Sequence, residues 1–352
     1  MNKLKCTVYA DNNSNHLQQI YTGLTMLHRK GKLKVSMRVG KDARKSTVPF
    51  SVQPNILHIE LAGKKLCFDT SDSAAIDLEA YALTDHYFKR SFNPSLEPHN
   101  YQKNVYPYGL NYLVYPDGFD PFGFKRCALF YSTKEWKKEL IKQADFLGKL
   151  HFKASVSNIY SPPVFREEPK VLFLARLWDT QSDSYFQISE QQKAQREEIN
   201  TQRARCIELL RDKFGSRFTG GLIATDFASK QHPELVVDNA GLTTKSNYLH
   251  TVKSHDICIA STGLHGSIGW KFGEYVAMSK SIVAERNLNY VPNLSEGNHY
   301  LSFTTAQECV DQAIRLDAGT DTRFEMMKEN HRYYESNLRP DALLMKCFEQ
   351  VL

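Results

Sequence analysis

The 352-residue sequence lacks long apolar runs, and no stretch approaches the roughly 18 apolar residues that span a bilayer. At the N-terminus, Lys3 and Lys5 precede an apolar run that stops at Asp11, which is too short for a secretory signal peptide. Hydrophobic residues make up 41% of the chain and charged residues 24%, and this balance excludes a disordered protein. The length predicts a globular chain of about two domains.

The sequence also lacks paired cysteines. Its seven cysteines are an odd number, are widely scattered and include no Cys-x-x-Cys pair; they are Cys6, Cys67, Cys127, Cys206, Cys258, Cys309 and Cys347. This pattern indicates neither a disulfide framework nor a zinc site. We therefore expect buried, reduced cysteines that pack as small apolar residues, in a cytoplasmic protein.

The net charge of +6 is unevenly distributed along the chain. Residues 1–160 hold 23 basic and 14 acidic side chains, whereas residues 161–352 hold 22 basic and 25 acidic ones. An anionic ligand or a negatively charged membrane face would suit the basic first half, and a lysine-rich solvated surface is the alternative. RNA-recognition, zinc-finger and basic-helix signatures are absent, so no nucleic-acid partner is expected.

The first half opens with a strand, a turn, a helix and a second strand. Residues 4–10 and 33–39 are rich in residues that favour strands, and the cluster at 11–15 is typical of a turn. Helical spacing follows that turn, at Leu17, Ile20, Leu24 and Leu27. This βαβ pattern predicts a parallel sheet with ligands near the carboxyl ends of its strands.

Further along, residues 56–69 predict a β-hairpin with its turn at 62–64. Residues 93–123 are rich in Pro, Asn, Gly and Tyr and predict long loops, and a helix is expected at 133–150. The Ser161-Pro162-Pro163 stretch is typical of a linker between domains.

The second half repeats the strand–helix pattern. Strands are predicted at 170–175, 217–224, 256–260 and 281–285, and helices at 191–214, 248–254 and 270–279. Two βα-repeating halves of similar size predict an α/β fold with two Rossmann-like domains that face a cleft.

Residues 261–283 carry the most informative pattern. A strand leads into a loop with Gly263, Gly266 and Gly269, and a helix follows at once. Glycines allow a backbone to approach a ligand closely, and a helix start presents N–H groups with positive partial charge, so the segment suits a diphosphate. Lys271 lies in the first helical turn, and Glu274 follows one turn later as a carboxylate suited to two ribose hydroxyls.

The spacing of Gly269, Glu274, Ala277, Ser279 and Ile282-Val283 resembles the donor-binding segment of GT-B glycosyltransferases. Residues 296–301 resemble that family's acidic-Gly-Asn loop, and residues 305–316 resemble the helix after it. The resemblance covers residues 170–352, whereas the first half matches only as a βαβ start.

The resemblance implies the GT-B architecture. An acceptor domain would span residues 1–162 and a nucleotide-sugar domain residues 163–332, and a C-terminal helix at 333–352 would cross back to the first domain. It also implies that Glu274 binds the ribose and that Arg176 and Lys271 meet the diphosphate. The implied donor-binding set is Arg176, Gly263, His265, Gly266, Ser267, Lys271 and Glu274.

By the same resemblance, the reaction needs no metal and no cofactor beyond the nucleotide-sugar donor, which acts as a co-substrate. The sequence contains no Asp-x-Asp pair, and the nearest substitute is Asp77-Leu78-Glu79. Retaining members often carry a second glutamate eight positions before the ribose-binding one, and Gly266 stands there, which favours inversion. An inverting route needs a general base; Asp11 and His16 are the candidates, and Asp85-His86 is a second pair.

The predicted function is transfer of a sugar from a nucleoside diphosphate to a glycan or lipid-linked acceptor, as in polysaccharide biosynthesis. The predicted location is the cytoplasm, with peripheral contact to the anionic inner face of the membrane as an option. Three alternatives remain: a GT-B sugar-nucleotide epimerase, a non-catalytic nucleotide- or glycan-binding protein, and a DNA-modifying glucosyltransferase. The last of these predicts salt-dependent binding to duplex DNA.

Overall fold

The computed structural model describes residues 4–40, 53–96, 104–129, 136–137, 140–141, 154–181, 188–237, 242, 244–286 and 289–352. They form two compact units. The first lies within Met1–Tyr160, Leu288–Asn293 and Tyr333–Leu352, and the second within Ser161–Asn287 and Leu294–Arg332.

The strands are, in chain order, β1 (Leu4–Ala10), β2 (Leu33–Val39), β3 (Ile56–Leu61), β4 (Lys64–Asp69), β5 (His86–Lys89), β6 (Val105–Pro107), β7 (Val171–Ala175), β8 (Phe218–Leu222), β9 (Ile257–Ala260), β10 (Ser281–Glu285) and β11 (Leu301–Phe303). The helices are α1 (Gln18–Arg29), α2 (Leu78–Ala82), α3 (Pro121–Arg126), α4 (Val156–Ile159), α5 (Glu190–Phe214), α6 (Asp226–Gln231), α7 (Lys245–Lys253), α8 (Trp270–Ala277), α9 (Ala306–Ala318), α10 (Thr320–Tyr333) and α11 (Pro340–Glu349). The predicted α/β fold with one sheet in each half is confirmed.

The sheet of the first unit is mixed rather than parallel, which corrects the expectation for this half. Its order is β2-β1-β3-β4-β5-β6, and β3 runs antiparallel to β1 and β4 while the other neighbours pair in parallel. The cause is the hairpin turn, where Ala62 and Gly63 both have positive φ angles, of 50° and 86°. So tight a turn can join only antiparallel strands.

Helices α1 and α11 cover one face of the first sheet. Their apolar residues share one core with β1–β5, including Leu24, Val35, Phe68 and Phe348. A Cβ atom at position 23 would lie 2.4 Å from the Pro340 carbonyl oxygen, so Gly23 lets the two helices pack closely. The C-terminal helix thus packs in the first unit, as the fold prediction expects.

The sheet of the second unit is fully parallel, in the order β11-β10-β9-β7-β8. The chain passes from β7 to β8 on one side, and β9 then lies on the other side of β7. Such a switch in strand order opens a crevice at the carboxyl ends of β7 and β9, where parallel α/β sheets bind ligands.

Several local predictions are confirmed, among them the hairpin and the long α5, which Ser189 and Gln192 cap with a reciprocal capping box. The segment predicted as loops also forms β6 and α3. Most of the helix predicted at 133–150 lies outside the described residues.

All seven cysteines are buried and free, as predicted. In the described part of the chain, no helix combines the length and the apolar character needed to cross a bilayer.

Candidate functional site

A short turn, residues 261–269, leads from the carboxyl end of β9 into α8. The Gly263 N–H donates to the Ser267 carbonyl at 2.8 Å, and Thr262 and Ile268 form an antiparallel bridge that closes the turn. Because β9 lies beside β7, the turn stands at the switch in strand order. The segment predicted to bind the donor therefore occupies a ligand-binding position of a parallel sheet.

The conformation of the turn explains two of its glycines. His265 and Gly266 both adopt left-handed backbone angles, with φ of 59° and 64°. At position 263 a Cβ atom would lie 2.6 Å from the Ser267 hydroxyl oxygen. The side chain of His265 is exposed, whereas Ser267 is only 2% exposed and lies beneath the turn. Gly263 and Gly266 thus serve the shape of the turn itself.

Lys271 projects from the first turn of α8 toward β7. Its ammonium donates to the carbonyl of Leu174 in β7. Burial, with the nearby charge of Arg203 as the next cause, lowers the pKa of Lys271 to about 8. Gly269 precedes the helix without a side chain to cap its first N–H groups, so a cation sits beside a helix end of the same sign.

The Glu274 carboxylate is buried, with the residue only 3% exposed. It forms an ion pair with Lys245, the first residue of α7. Burial and the negative charge of Glu274 raise the pKa values of Tyr248 and Tyr275 well above the usual range. The predicted ribose ligand therefore points into the protein and already has a cationic partner.

Arg203 is a site residue that the sequence analysis missed. From α5, its guanidinium donates to the carbonyl of Arg176, to the Ser261 hydroxyl at 3.0 Å and to the Thr262 carbonyl at 2.6 Å. Burial lowers the pKa of Arg203 to about 10. The residue joins the loop after β7 to the turn after β9. A cation four residues from each of the buried residues Ile199 and Ile207 is the signal that could have revealed it.

Glu285, at the end of β10, was also missed. One of its carboxylate oxygens accepts from the Thr262 N–H at 2.8 Å and from the Thr262 hydroxyl at 2.9 Å. A carboxylate at the carboxyl end of a buried strand is the sequence signal that points to such a role. Glu285 and Arg203 together fix the start of the turn.

Arg176 follows β7 directly, and its side chain is exposed. The structure thus brings together the backbone of Arg176, the 261–269 turn, Lys271 and Glu274. Lys271 and Glu274 are close enough that the Glu274 charge raises the pKa of the lysine, against the effects of burial and Arg203.

Asp11 and His16 lie after β1, at the carboxyl edge of the first sheet. Arg90, which follows β5 at the same edge, contacts His16 Nδ1 at 3.4 Å and forms an ion pair with Asp72. Burial, and then the charge of Arg90, lower the pKa of His16. Because arginine only donates hydrogen bonds, His16 Nδ1 is the acceptor and the proton lies on Nε2.

A second ion pair lies at the same edge, where the Lys89 ammonium contacts Asp69 at 2.6 Å. Both side chains are almost fully buried. The Ser71 hydroxyl donates to Asp69 at 2.6 Å. Lys89 and Arg90, which are described at this edge, are thus each paired with a carboxylate.

The alternative acid–base pair lies elsewhere. Asp85 and His86 stand at the start of β5, which is the opposite edge of the sheet from His16. The Asp85 carboxylate accepts the Lys65 N–H at 2.7 Å. Asp77, of the acidic pair 77–79, caps α2 by accepting from the Ala80 N–H at 2.8 Å. Among the described residues, no three His, Cys, Asp or Glu side chains form a group that could hold a metal.

Neither a protein-family model nor a curated protein matches the sequence. The chain is similar to HepE of Anabaena in complex with UDP, with 10% identity, a TM-score of 0.42 and coverage of 97% of this chain and 98% of that one. It is similar to the C-terminal domain of LpcC of Francisella tularensis, a glycosyl transferase group 1 family protein, with 13% identity, a TM-score of 0.33 and coverage of 51% and 95%.

A third similar structure is TarM of S. aureus in complex with fondaparinux, alpha-GlcNAc-glycerol and UDP, with 12% identity and a TM-score of 0.36. That match covers 54% of this chain and 36% of TarM, so the chain spans about a third of that protein. All three similar structures are thus matched at identities of 10–13% and TM-scores of 0.33–0.42. At these TM-scores we infer function from the residues of this chain.

Proposed function

We propose that the protein is a glycosyltransferase that moves a sugar from a nucleoside diphosphate to a glycan or lipid-linked acceptor. One observation carries the proposal: three cations, Lys245, Lys271 and Arg203, lie with two carboxylates, Glu274 and Glu285, beside a turn at the carboxyl edge of a parallel sheet. Burial, and then the like charges of Arg203 and Lys245, lower the pKa of Lys271, and an anionic ligand would relieve that repulsion.

In this proposal the diphosphate lies over the start of α8. Lys271 and the exposed Arg176 side chain face its oxygens, and the uncapped N–H groups of α8 add positive partial charge. Negative charge grows on the diphosphate as the sugar departs through an oxocarbenium-like transition state. Fixed cations therefore help most at the moment of bond cleavage, in the role that a divalent metal fills in other glycosyltransferases.

Glu274 is the proposed ribose ligand, and its ion pair with Lys245 sets the position of the carboxylate. The ion pair orients the carboxylate, so that its oxygens can accept hydrogen bonds from two hydroxyls. The Lys245 side chain is about one-third exposed, so it can rotate toward solvent when a ligand takes its place. His265 and Gly266, exposed on the turn, are placed to contact the sugar or the phosphate.

The general base of an inverting route is proposed at the carboxyl edge of the first sheet. The neutral imidazole of His16 uses Nδ1 to accept from Arg90, and a further hydrogen bond joins the residue to the Thr70 backbone. These contacts orient the imidazole at the carboxyl edge of the first sheet. Asp11, a half-buried carboxylate, is then the better proton acceptor.

We place the reaction in the cytoplasm, with a polysaccharide or a lipid-linked intermediate as the acceptor. Two exposed rings of the first unit, Phe119 and Phe124, lie 6.4 Å apart beside the exposed Lys125. Aromatic rings next to cations favour an anionic membrane surface. Sedimentation with anionic vesicles tests this contact: Phe124→Ser should reduce binding, whereas Leu78→Ser, at an equally exposed site beside Glu79, should not.

The test of the proposed function combines binding and turnover. A thermal-shift screen of nucleoside diphosphates should identify one base that stabilises the protein, because a ligand at 100 times its Kd adds about 2.7 kcal/mol. Glu274→Ala and Arg176→Ala should weaken that binding and slow sugar transfer. Glu325→Ala, an exposed carboxylate of the same unit, is the control. Full sugar transfer by the first two variants would refute the donor site.

Product analysis separates the alternatives. An epimerase would convert the sugar nucleotide without an acceptor, and a non-catalytic binding protein would bind the diphosphate and release no product. A glycosyltransferase releases the diphosphate only when an acceptor is present, apart from slow hydrolysis.

A further inference from the structure

A polar groove lies on the second unit, on the other side of the β7 loop from the 261–269 turn. Two helix faces form its walls. Glu197 and Thr201 are one turn apart on α5, and Phe227 and Gln231 are one turn apart on α6, so each pair projects on one face. We call this cavity, of about 420 Å³, the α5–α6 groove. Its volume is within the range of small-molecule sites.

The floor of the groove is fixed by buried contacts. Leu177 and Thr180 are buried in the loop after β7. The amide of Asn200 clamps that loop, because it accepts from the Trp178 N–H at 2.9 Å and donates to the Trp178 carbonyl at 2.7 Å. The groove is therefore a preformed feature, and Asn200 is already satisfied.

The charge of the groove excludes a phosphate ligand. Among the described residues that line it, none is Lys or Arg, and Glu197 contributes a carboxylate. The histidine in this lining, His232, has its Nδ1 atom 3.6 Å from a carboxylate oxygen of Glu234. A diphosphate would meet negative charge without a cation here, whereas the 261–269 turn offers three cations. The two sites thus select different ligands.

The remaining groups match a neutral sugar. Gln181 and Gln231 can both donate and accept, Thr180 and Thr201 carry hydroxyls, and Glu197 accepts from pairs of hydroxyls. The half-buried Phe227 ring offers a π face to the C–H groups of a pyranose. We propose that the α5–α6 groove binds a neutral glycosyl residue of a glycan, separately from the donor.

This second site would hold part of a glycan chain on the unit that holds the donor, independently of catalysis. It goes beyond the proposed function, because glycan binding here requires neither a nucleotide nor turnover. Glycan binding in the groove can therefore be measured without sugar transfer, and sugar transfer without glycan binding in the groove.

The test uses the full chain and ligand-observed saturation-transfer NMR. The probes are maltotriose, cellotriose and chitotriose as neutral oligosaccharides, and trigalacturonic acid as the anionic comparator. We expect at least one neutral trisaccharide to bind and the uronic acid not to bind. Phe227→Ala and the exposed-site variant Glu197→Gln should each weaken binding about tenfold. Glu198→Gln, the next residue on α5, is the matched control and should bind normally.

A parallel thermal-shift measurement with nucleoside diphosphates separates the two proposals. Glu274→Ala should lose the nucleotide response and keep trisaccharide binding, and Glu197→Gln should do the reverse. The groove proposal is overturned if no neutral trisaccharide binds, if Glu197→Gln and Glu198→Gln behave alike, or if the nucleotide competes with the trisaccharide. Loss of the nucleotide response alone would count only against the donor site.

Discussion

The carboxyl edges of the two sheets balance their charges differently. At the first edge, Lys89 pairs with Asp69 and Arg90 pairs with Asp72. At the second edge, Arg203 donates to carbonyl and hydroxyl oxygens and Lys271 donates to a carbonyl. The described contacts give neither of these two cations a carboxylate to hydrogen-bond. Among the described residues, Lys89 and Arg90 of the first edge are each neutralised by a carboxylate, whereas Arg203 and Lys271 of the second edge hydrogen-bond only to uncharged oxygens.

This difference between the two edges is the opposite of the difference in net charge between the two halves of the sequence. The half that holds the first edge is basic, and the half that holds the second edge has more acids than bases. The basic surplus lies partly elsewhere, since Lys5 and Lys34 are neighbours on adjacent strands and Arg38 is exposed on the same edge strand. We therefore expect pairing at the site, rather than composition, to decide which unit binds an anion.

The largest effect should come from removing the proposed base of the first edge. Asp11→Asn should lower kcat about 100-fold and leave nucleotide affinity unchanged, because the group acts on the acceptor hydroxyl. His16→Gln should have a smaller effect. Asp85→Asn, at the opposite edge of the same sheet, is the control and should keep kcat. Equal losses in Asp11→Asn and Asp85→Asn would contradict the assignment.

Arg203 tests how the second edge is held. Arg203→Met leaves the carbonyls of Arg176 and Thr262 without their donor, and it should lower the free energy of unfolding by about 3 kcal/mol. Urea titration measures this change. Arg205→Met, two residues away and exposed beside Glu208, should change it by less than about 0.5 kcal/mol. Similar changes in the free energy of unfolding for both variants would show that Arg203 does not hold the loop after β7 to the 261–269 turn.

Lys271→Met separates binding from stability. Loss of a charged hydrogen-bond donor should weaken nucleoside-diphosphate binding about tenfold. The Tm should not fall, because an apolar side chain of similar shape removes a buried charge whose described hydrogen bond goes to a carbonyl oxygen and not to a carboxylate. A lower Tm with unchanged affinity would make Lys271 a structural residue instead.

The smallest effect is a pH dependence of nucleotide affinity. With its pKa lowered to about 8, Lys271 loses its charge as the pH rises through that value, so affinity should fall about threefold between pH 7 and 9. The unfolded chain keeps this proton to about pH 10.5, so the contribution of Lys271 to stability rises between pH 8 and 10.5. Lys271→Met should flatten the affinity profile measured by calorimetry; a profile unchanged in the variant would assign the titration to another group.

The sequence predicted well whatever depends on local pattern. The periodicity of α5, the buried strands of the second unit and the 261–269 turn all follow from neighbouring residues. The mixed character of the first sheet did not, because pairing of β1 with β3 depends on tertiary packing. The sequence predicted the hairpin of β3 and β4, but it did not predict that β3 pairs with β1.

Site residues followed the same rule. Lys271 and Glu274 could be singled out from the sequence because they lie in the helix directly after a glycine-rich turn. Arg203 and Lys245 were missed because they come from α5 and α7, 58 residues before Ser261 and 29 residues before Glu274 in sequence. Only the folded sheet places these side chains at one edge.

The central claim is that the unmatched cations of the second edge hold a diphosphate. Calorimetry tests it directly, with the nucleoside diphosphate that stabilises the protein most and the monophosphate of the same base. We predict that the diphosphate binds at least about tenfold more tightly to the unaltered protein and that Lys271→Met abolishes this advantage. Equal affinities for the two nucleotides, or an advantage that persists in the variant, would contradict the account.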